Sequence, residues 1–361
     1  MKIAFPLVNV QPTGGARVTL QHMAALTTSG HEVVVLLPTS ASQEYYALPR
    51  DVDVVPVDVG FGGYAAAVLA LGRAIPRCDL VFANSWQMVL PAMVARQLGR
   101  TRHVVHLVQG IEMFGASGRG RLVSLRNTLL RSSAMRFAIP RVAVSSWVRQ
   151  RLRNEYGRSA VVVPNGVDTL TFRPRPRAPA GHPFSVLTLA RQEPTKGFAD
   201  LLEAARLMAE AGSPPHLAVA TSDRLTLPRD LNVSMVSPAD DEALACLYSS
   251  CDAFAFTSWS EGFGLPPLEA MACGAAVVTT ACGGISDFAV DGENCLVVPP
   301  RRPDLLAQAL TRVREDHGLR ARLGQAGIAT AARFSLEQSG ARMVKALTAI
   351  VEGDTGVTTS L

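Results

Sequence analysis

Short apolar runs alternate with amphipathic helical stretches along almost the whole chain, and that alternation sets the fold class before any single residue is weighed. In the first half the runs are Ile3–Val10, followed by a helix from Ala16, then Val33–Leu37, Val52–Val57, Leu80–Ala83, His103–Val108 and Val142–Val144. In the second half they are Phe184–Ala190, a helix over Phe198–Ala211, then Leu217–Ala220, Val233–Val236, Ala253–Thr257, Ala276–Thr279 and Cys295–Val298. Strand-like runs separated by helical segments predict βαβ units and parallel sheets, so each half reads as a doubly wound, Rossmann-like α/β domain. From Pro303 the pattern turns helical throughout, over Pro303–Glu315, Leu319–Ala332 and Leu336–Val351. Open parallel sheets bind ligands at the carboxyl ends of their strands, and two such sheets facing each other would form a cleft there.

A length of 361 residues exceeds one ordinary core and fits two. Thr169–Pro183, with prolines at 174, 176, 179 and 183, reads as the linker between a domain over 1–168 and another over 184–337. No stretch approaches the roughly 18 apolar residues of a spanning helix. The start, Met1–Val8, has one charged side chain and reads as a first strand, not a signal peptide, which places the protein in the cytoplasm. Six cysteines show neither Cys-x-x-Cys nor a zinc spacing and read as buried free thiols.

Charge separates the halves. Residues 1–170 carry 18 Lys and Arg against 9 Asp and Glu, a net of +9, and the remainder carries 17 against 21, a net of −4. Nine arginines and no acid lie between Met113 and Asn154 (119, 121, 126, 131, 136, 141, 149, 151 and 153). Such a run suits anionic lipid head groups at the inner face of the membrane, or an acidic acceptor. Leu122, Leu125 and Leu129 recur at helical spacing, yet arginines five residues apart spread around a helix and make no single basic face. Few aromatics interleave the run and no recognised motif accompanies it, which argues against nucleic acid.

The densest chemistry lies in Glu261-Gly262-Phe263-Gly264-Leu265-Pro266-Pro267-Leu268-Glu269, between a strand ending at Thr257 and a helix whose first turn the prolines suit. Free amides at that helix start favour an anion, and the glycines let a ligand come close. A carboxylate beside such a pocket accepts hydrogen bonds from sugar or ribose hydroxyls better than it holds phosphate. Gly14-Gly15 follows the first strand in the same way, as a tight turn before a helix. Arg191 and Lys196 follow the strand ending at Ala190 and could stabilise charge on a leaving diphosphate.

With these motifs the chain resembles the retaining glycosyltransferases of family 4, which have the GT-B fold and a Glu-x7-Glu signature. The likeness extends to Gly30-His31-Glu32-Val33, Pro164-Asn165-Gly166-Val167-Asp168, Lys196-Gly197 and Gly283-Gly284. It implies two Rossmann-like domains about a central cleft and transfer of a hexose (mannose, glucose or N-acetylglucosamine) from a nucleotide sugar such as GDP-mannose or a UDP-hexose. The acceptor would be a glycan, lipid-linked or small-molecule hydroxyl. On this resemblance Arg191 and Lys196 hold the diphosphate, Glu261 and the main chain of Gly262, Phe263, Gly264 and Leu265 hold the sugar, Glu269 holds the ribose, and the Gly15 amide approaches the donor phosphate. The resemblance also implies a helix from Gln338 onward that crosses back to the first domain.

The family often places a histidine at the strand end near which His106 lies here, and His106 is the expected active-site histidine, with His103 a competing candidate, although Gly110 and Glu112 follow later than in many relatives. No side chain is assigned as nucleophile. The resemblance implies a front-face path in which the leaving phosphate helps deprotonate the acceptor. No cofactor or metal is expected, and Asp51-Val52-Asp53 reads as acids at a strand start. Two other readings share the architecture: a nucleotide-sugar epimerase, and a non-catalytic sugar-nucleotide-binding scaffold.

Overall fold

A computed structural model describes residues 1–8, 13–39, 47–59, 63–111, 121–176 and 183–353, with side chains of 121–125 left aside. Val10, Glu112, Arg119 and the tail after Gly353 lie outside the described residues, as do the side chains of Arg121, Leu122 and Leu125. The chain divides into two compact units: Met1–Gly166 with the chain from Glu337, and Val167–Leu336.

The first unit opens with β1 (Lys2–Pro6), α1 (Gly14–Thr28), β2 (Glu32–Pro38), β3 (Val52–Val57), α2 (Gly63–Ala74), β4 (Leu80–Ala83) and α3 (Trp86–Gln97). It continues with β5 (His103–Val108), α4 (Arg121–Arg136), β6 (Arg141–Ala143), α5 (Ser146–Tyr156) and β7 (Val161–Val162). All seven strands pair in parallel in the order β3-β2-β1-β4-β5-β6-β7. Helices on both faces bury each central strand from two sides, which is why Val33–Leu37 is one continuous apolar run, each residue at most 3% exposed.

The second unit holds β8 (Ser185–Leu189), α6 (Phe198–Glu210), β9 (His216–Ala220), β10 (Val233–Val236), α7 (Asp241–Ser250) and β11 (Ala253–Phe256). Then come α8 (Leu265–Ala272), β12 (Ala276–Thr280), β13 (Leu296–Val298), α9 (Pro303–Glu315) and α10 (His317–Ala332). This sheet is also wholly parallel, in the order β10-β9-β8-β11-β12-β13.

The last helix, α11 (Leu336–Glu352), packs on the first unit. Ser339 Oγ donates to the Pro164 carbonyl at 2.7 Å, and a Cβ at Gly340 would lie 2.6 Å from that of Ala25, so a glycine lets α11 pack closely on α1. The described part of the expected linker, 169–176, is not loose. Phe172 is 1% exposed and meets Tyr248 edge to face at 6.1 Å, and the Arg175 amide donates to Ser249 Oγ at 3.1 Å. Prolines signal an extended path there, and a buried aromatic fastens that path to the second unit. Cys251, Cys273, Cys282 and Cys295 are buried thiols, whereas Cys246 lies exposed on α7.

Candidate active site

In each sheet the strand order reverses once, between β1 and β4 and between β8 and β11. Loops leaving the two strands at such a point run to opposite faces and open a crevice at their carboxyl ends. Lys196 follows β8 and Glu261 follows β11, so the second unit's reversal brings together residues 65 positions apart.

The segment after β8 turns through a short 3₁₀ stretch, Pro194–Lys196, ending at Gly197 with φ +67°. A Cβ at Gly197 would sit 2.0 Å from the Thr257 carbonyl oxygen, so glycine alone lets this turn lie against the end of β11. Thr257 Oγ1 donates to the Lys196 carbonyl at 3.1 Å. So held, Lys196 places Nζ 2.9 Å from Glu261 Oε1, and Ser258 Oγ donates to the same oxygen at 2.7 Å. The two side chains are 26% and 20% exposed, which leaves this ion pair within reach of a ligand.

Glu261 is also fixed through its main chain. Its amide donates to the Cys282 carbonyl at 2.6 Å and its carbonyl accepts from Gly284 at 2.9 Å. A Cβ at Gly284 would lie 2.1 Å from the Gly262 carbonyl oxygen, and one at Gly264, where φ is +90°, 2.6 Å from Ile285 Cγ2. The glycines of the two loops therefore serve each other's close approach. The Phe263 ring is 3% exposed and packs against Phe288 and Phe334 at 5.4 and 6.3 Å, leaving its main chain, the part assigned to the sugar, for a ligand. The Leu265 side chain is buried likewise.

Pro266 and Pro267 occupy the first turn of α8, where a missing N–H costs nothing. Further along, Glu269 is 4% exposed and accepts a hydrogen bond from the fully buried Tyr248 hydroxyl at 3.2 Å. The two glutamates thus differ in kind, one in an accessible ion pair and one an interior carboxylate anchored by a phenol. Arg191 has its own anchor. Its guanidinium donates to Ser222 Oγ and lies 3.6 Å from Asp223 Oδ1, on the loop after β9, while the Gln192 amide donates to Asp223 Oδ2 at 2.7 Å. The two cations expected to act together are held by different loops.

In the first unit Gly14 and Gly15 are the opening residues of α1, which starts two residues earlier than the pattern predicts because Thr13 caps it, accepting from the Ala16 amide at 3.2 Å. Helix-opening amides have no preceding turn to bond to, so they face outward at the β1–β4 reversal. His106 lies near the end of β5, before Leu107 and Val108, but is 1% exposed, and burial together with the Arg141 charge pushes its pKa down to about 3. Such an imidazole stays neutral and enclosed, so the expected active-site histidine is a core residue.

The side chain that does emerge past β5 is Gln109, whose Nε2 donates to the carbonyls of Gly15 and Asn84, both at 3.2 Å. The sequence carried a signal for it, since Gly110 follows Gln109 directly.

The arginine run does not form one surface. Arg141 is 3% exposed and gives its Nη hydrogens to the carbonyls of Ile139, Met135 and Phe137, while Arg131 reaches the Ile111 carbonyl at 2.9 Å. Arg151 stacks 5.0 Å from the Trp147 ring centre and pairs with Glu155. Arg126, Arg136, Arg149 and Arg153 are exposed, as is Leu129. Among the described residues no group of His, Cys, Asp and Glu is arranged to hold a metal ion, and no helix is long and apolar enough to cross a membrane.

Sucrose-phosphate synthase from Thermosynechococcus elongatus superimposes with a TM-score of 0.81 over 98% of this chain and 100% of that one, at 21% identity. Anabaena HepE, solved in complex with UDP-glucose, gives 0.75 over 97% and 100%, at 20% identity. At such identities these likenesses concern the fold, and they make this a GT-B protein. Residues 12–170 match the family model for Glycosyltransferase Family 4 and residues 172–330 that for Glycosyl transferases group 1, and the chain belongs to the family 4 glycosyltransferases. The D-inositol 3-phosphate glycosyltransferase of Arthrobacter sp. (strain FB24) is 32% identical over 211 residues, 53% of this chain and 50% of that protein. The chain spans about half the length of the curated relatives it matches.

Proposed function

We propose that the protein is a retaining glycosyltransferase that moves a hexose from a nucleoside diphosphate sugar to an acceptor hydroxyl. The observation that carries this reading is the accessible Lys196–Glu261 pair at the second unit's strand-order reversal, a cation for a diphosphate beside a carboxylate for sugar hydroxyls. Family membership supports it, as does the glycosyltransferase activity in the names of the relatives.

In the reaction the bond from the anomeric carbon to the diphosphate oxygen breaks, the bond to the acceptor oxygen forms on the same face, and the acceptor proton passes to the leaving phosphate. Lys196 stabilises the departing diphosphate as its charge grows, an interaction stronger in the transition state than in the ground state. Glu261, released from Lys196 as donor enters, accepts from the sugar hydroxyls. Arg191 is assigned to the phosphates, and Glu269, held by Tyr248, to the ribose. In the first unit the Gly14 and Gly15 amides and Gln109 are assigned as substrate contacts.

A metal has no part in this reading. UDP-glucose, UDP-N-acetylglucosamine and GDP-mannose are the donors to test first, and a phosphorylated cyclitol is the first acceptor, given the relatives' names. Exposed Arg126, Arg136, Arg149 and Arg153 would suit an anionic acceptor or lipid surface, which flotation with acidic vesicles at low and high salt separates. A thermal-shift screen of these nucleotide sugars tests the donor assignment. One of them should raise the melting temperature of the wild type and have a much smaller effect on Lys196→Ala, and no shift with any nucleotide sugar would contradict it.

A further inference from the structure

A second set of contacts, centred on Trp259, joins the Lys196 turn to the Glu261 loop. Trp259 lies two residues before Glu261, and its main-chain amide donates to the Thr195 carbonyl at 2.7 Å. Its indole Nε1–H donates to Asp200 Oδ2 at 2.6 Å, and Asp200 sits in the first turn of α6, directly after Lys196 and Gly197. Trp259 therefore grips the chain on both sides of Lys196.

The ring is covered as well. The Arg301 guanidinium carbon stands 4.0 Å from the ring centroid, an arrangement that favours a cation over an aromatic face. Arg301 follows β13 with φ +60°, and among the described residues it is the one non-glycine in the left-handed region. A backbone held in that region is kept there by its surroundings, and the stack on Trp259 is the contact seen at its side chain.

We propose that Trp259, tied by its indole N–H to Asp200 and covered by Arg301, is a positioning residue that sets the Lys196 ammonium against Glu261 and hence against the departing diphosphate. The inference rests on the reading of Lys196 given above. Without the indole hydrogen bond, Thr257 Oγ1 and the Trp259 amide still hold the turn, so the fold persists while the ammonium loses its fixed direction. Transfer chemistry is sensitive to such displacements, a shift on the order of 1 Å costing up to about 100-fold in rate.

Steady-state turnover of UDP-glucose, or of GDP-mannose if that is the donor used, decides the matter for Trp259→Phe, Asp200→Ala, their double variant, Asp200→Asn and Lys196→Ala. Trp259→Phe and Asp200→Ala are each expected to lower kcat about 10-fold while KM for donor and Tm stay near wild type. The double variant should be no slower than either single one, because both remove the same hydrogen bond. Asp200→Asn keeps an acceptor oxygen and should restore most of kcat. Wild-type kcat in Trp259→Phe, or losses that multiply in the double variant, would overturn the proposal. If Lys196→Ala is inactive while Trp259→Phe is normal, the positioning role alone fails, whereas full activity in Lys196→Ala would remove the reading on which it rests.

Discussion

Lys196 Nζ and Glu261 Oε1 lie 2.9 Å apart although the two residues are separated by 65 positions, because β8 and β11 are neighbours at the strand-order reversal of the second sheet. A partly exposed pair of this kind contributes at most about 1 kcal/mol to folding, so its persistence at the mouth of a crevice speaks for binding more than for stability. Lys196→Ala should therefore lower kcat on the order of 100-fold or more and leave the urea midpoint almost unchanged. Near-normal kcat in that variant would remove Lys196 from the chemistry.

Gly197 and Gly212 have similar left-handed backbones, φ +67° and +76°, but only Gly197 has an atom in the way. Gly212→Ala should cost about 1 kcal/mol from backbone conformation alone. Gly197→Ala must also push the Lys196 turn off the Thr257 carbonyl and should cost about 3 kcal/mol or more, together with activity. Equal losses in denaturant unfolding would show that the turn does not depend on this contact.

His22 and His106 make the first unit sensitive to acid. Burial lowers their pKa values from the ordinary 6.5 to about 4 and about 3, with the Arg141 charge adding to the effect at His106. The unfolded chain takes up protons that the folded chain refuses, so stability is full above about pH 6.5 and falls as pH drops towards 4 and 3, by up to about 1.4 kcal/mol per pH unit for each histidine. Urea unfolding at pH 7 and pH 5 should show this slope, and His22→Gln or His106→Gln should flatten it. An unchanged slope in both variants would place the acid sensitivity elsewhere.

Asp51 and Asp53 flank the start of β3, outside both strand-order reversals. Activity is accordingly expected to survive EDTA in metal-free buffer, since the proposed reading assigns side-chain cations and helix amides to the diphosphate. Complete loss restored by Mg²⁺ or Mn²⁺ would return these two aspartates to consideration.

The sheets were legible because parallel strands buried on both faces must be written as unbroken apolar runs; Leu80–Ala83, buried throughout, appears in the fold with the bounds its pattern predicts. Gly197, Gly264 and Gly284 were legible as special positions, but their reason was not, because it lies in contacts with Thr257, Ile285 and Gly262. His106 misled because burial is decided by what packs over a strand: it is enclosed at 1% exposure although β5 has the bounds its pattern predicts, and the side chain past the strand's end is Gln109. Tyr248 and Trp259 carried no local signal, since each acts on a residue supplied by another element.

Transfer itself can be watched directly. With a donor labelled at C1 and an acceptor hydroxyl, NMR of the product reads both whether a glycoside forms and its anomeric configuration. The account predicts a new glycoside with the donor's configuration retained, formed by the wild type and reduced on the order of 100-fold in Lys196→Ala. An inverted product would contradict the retaining assignment, and an epimerised donor with no glycoside would contradict the transferase reading altogether.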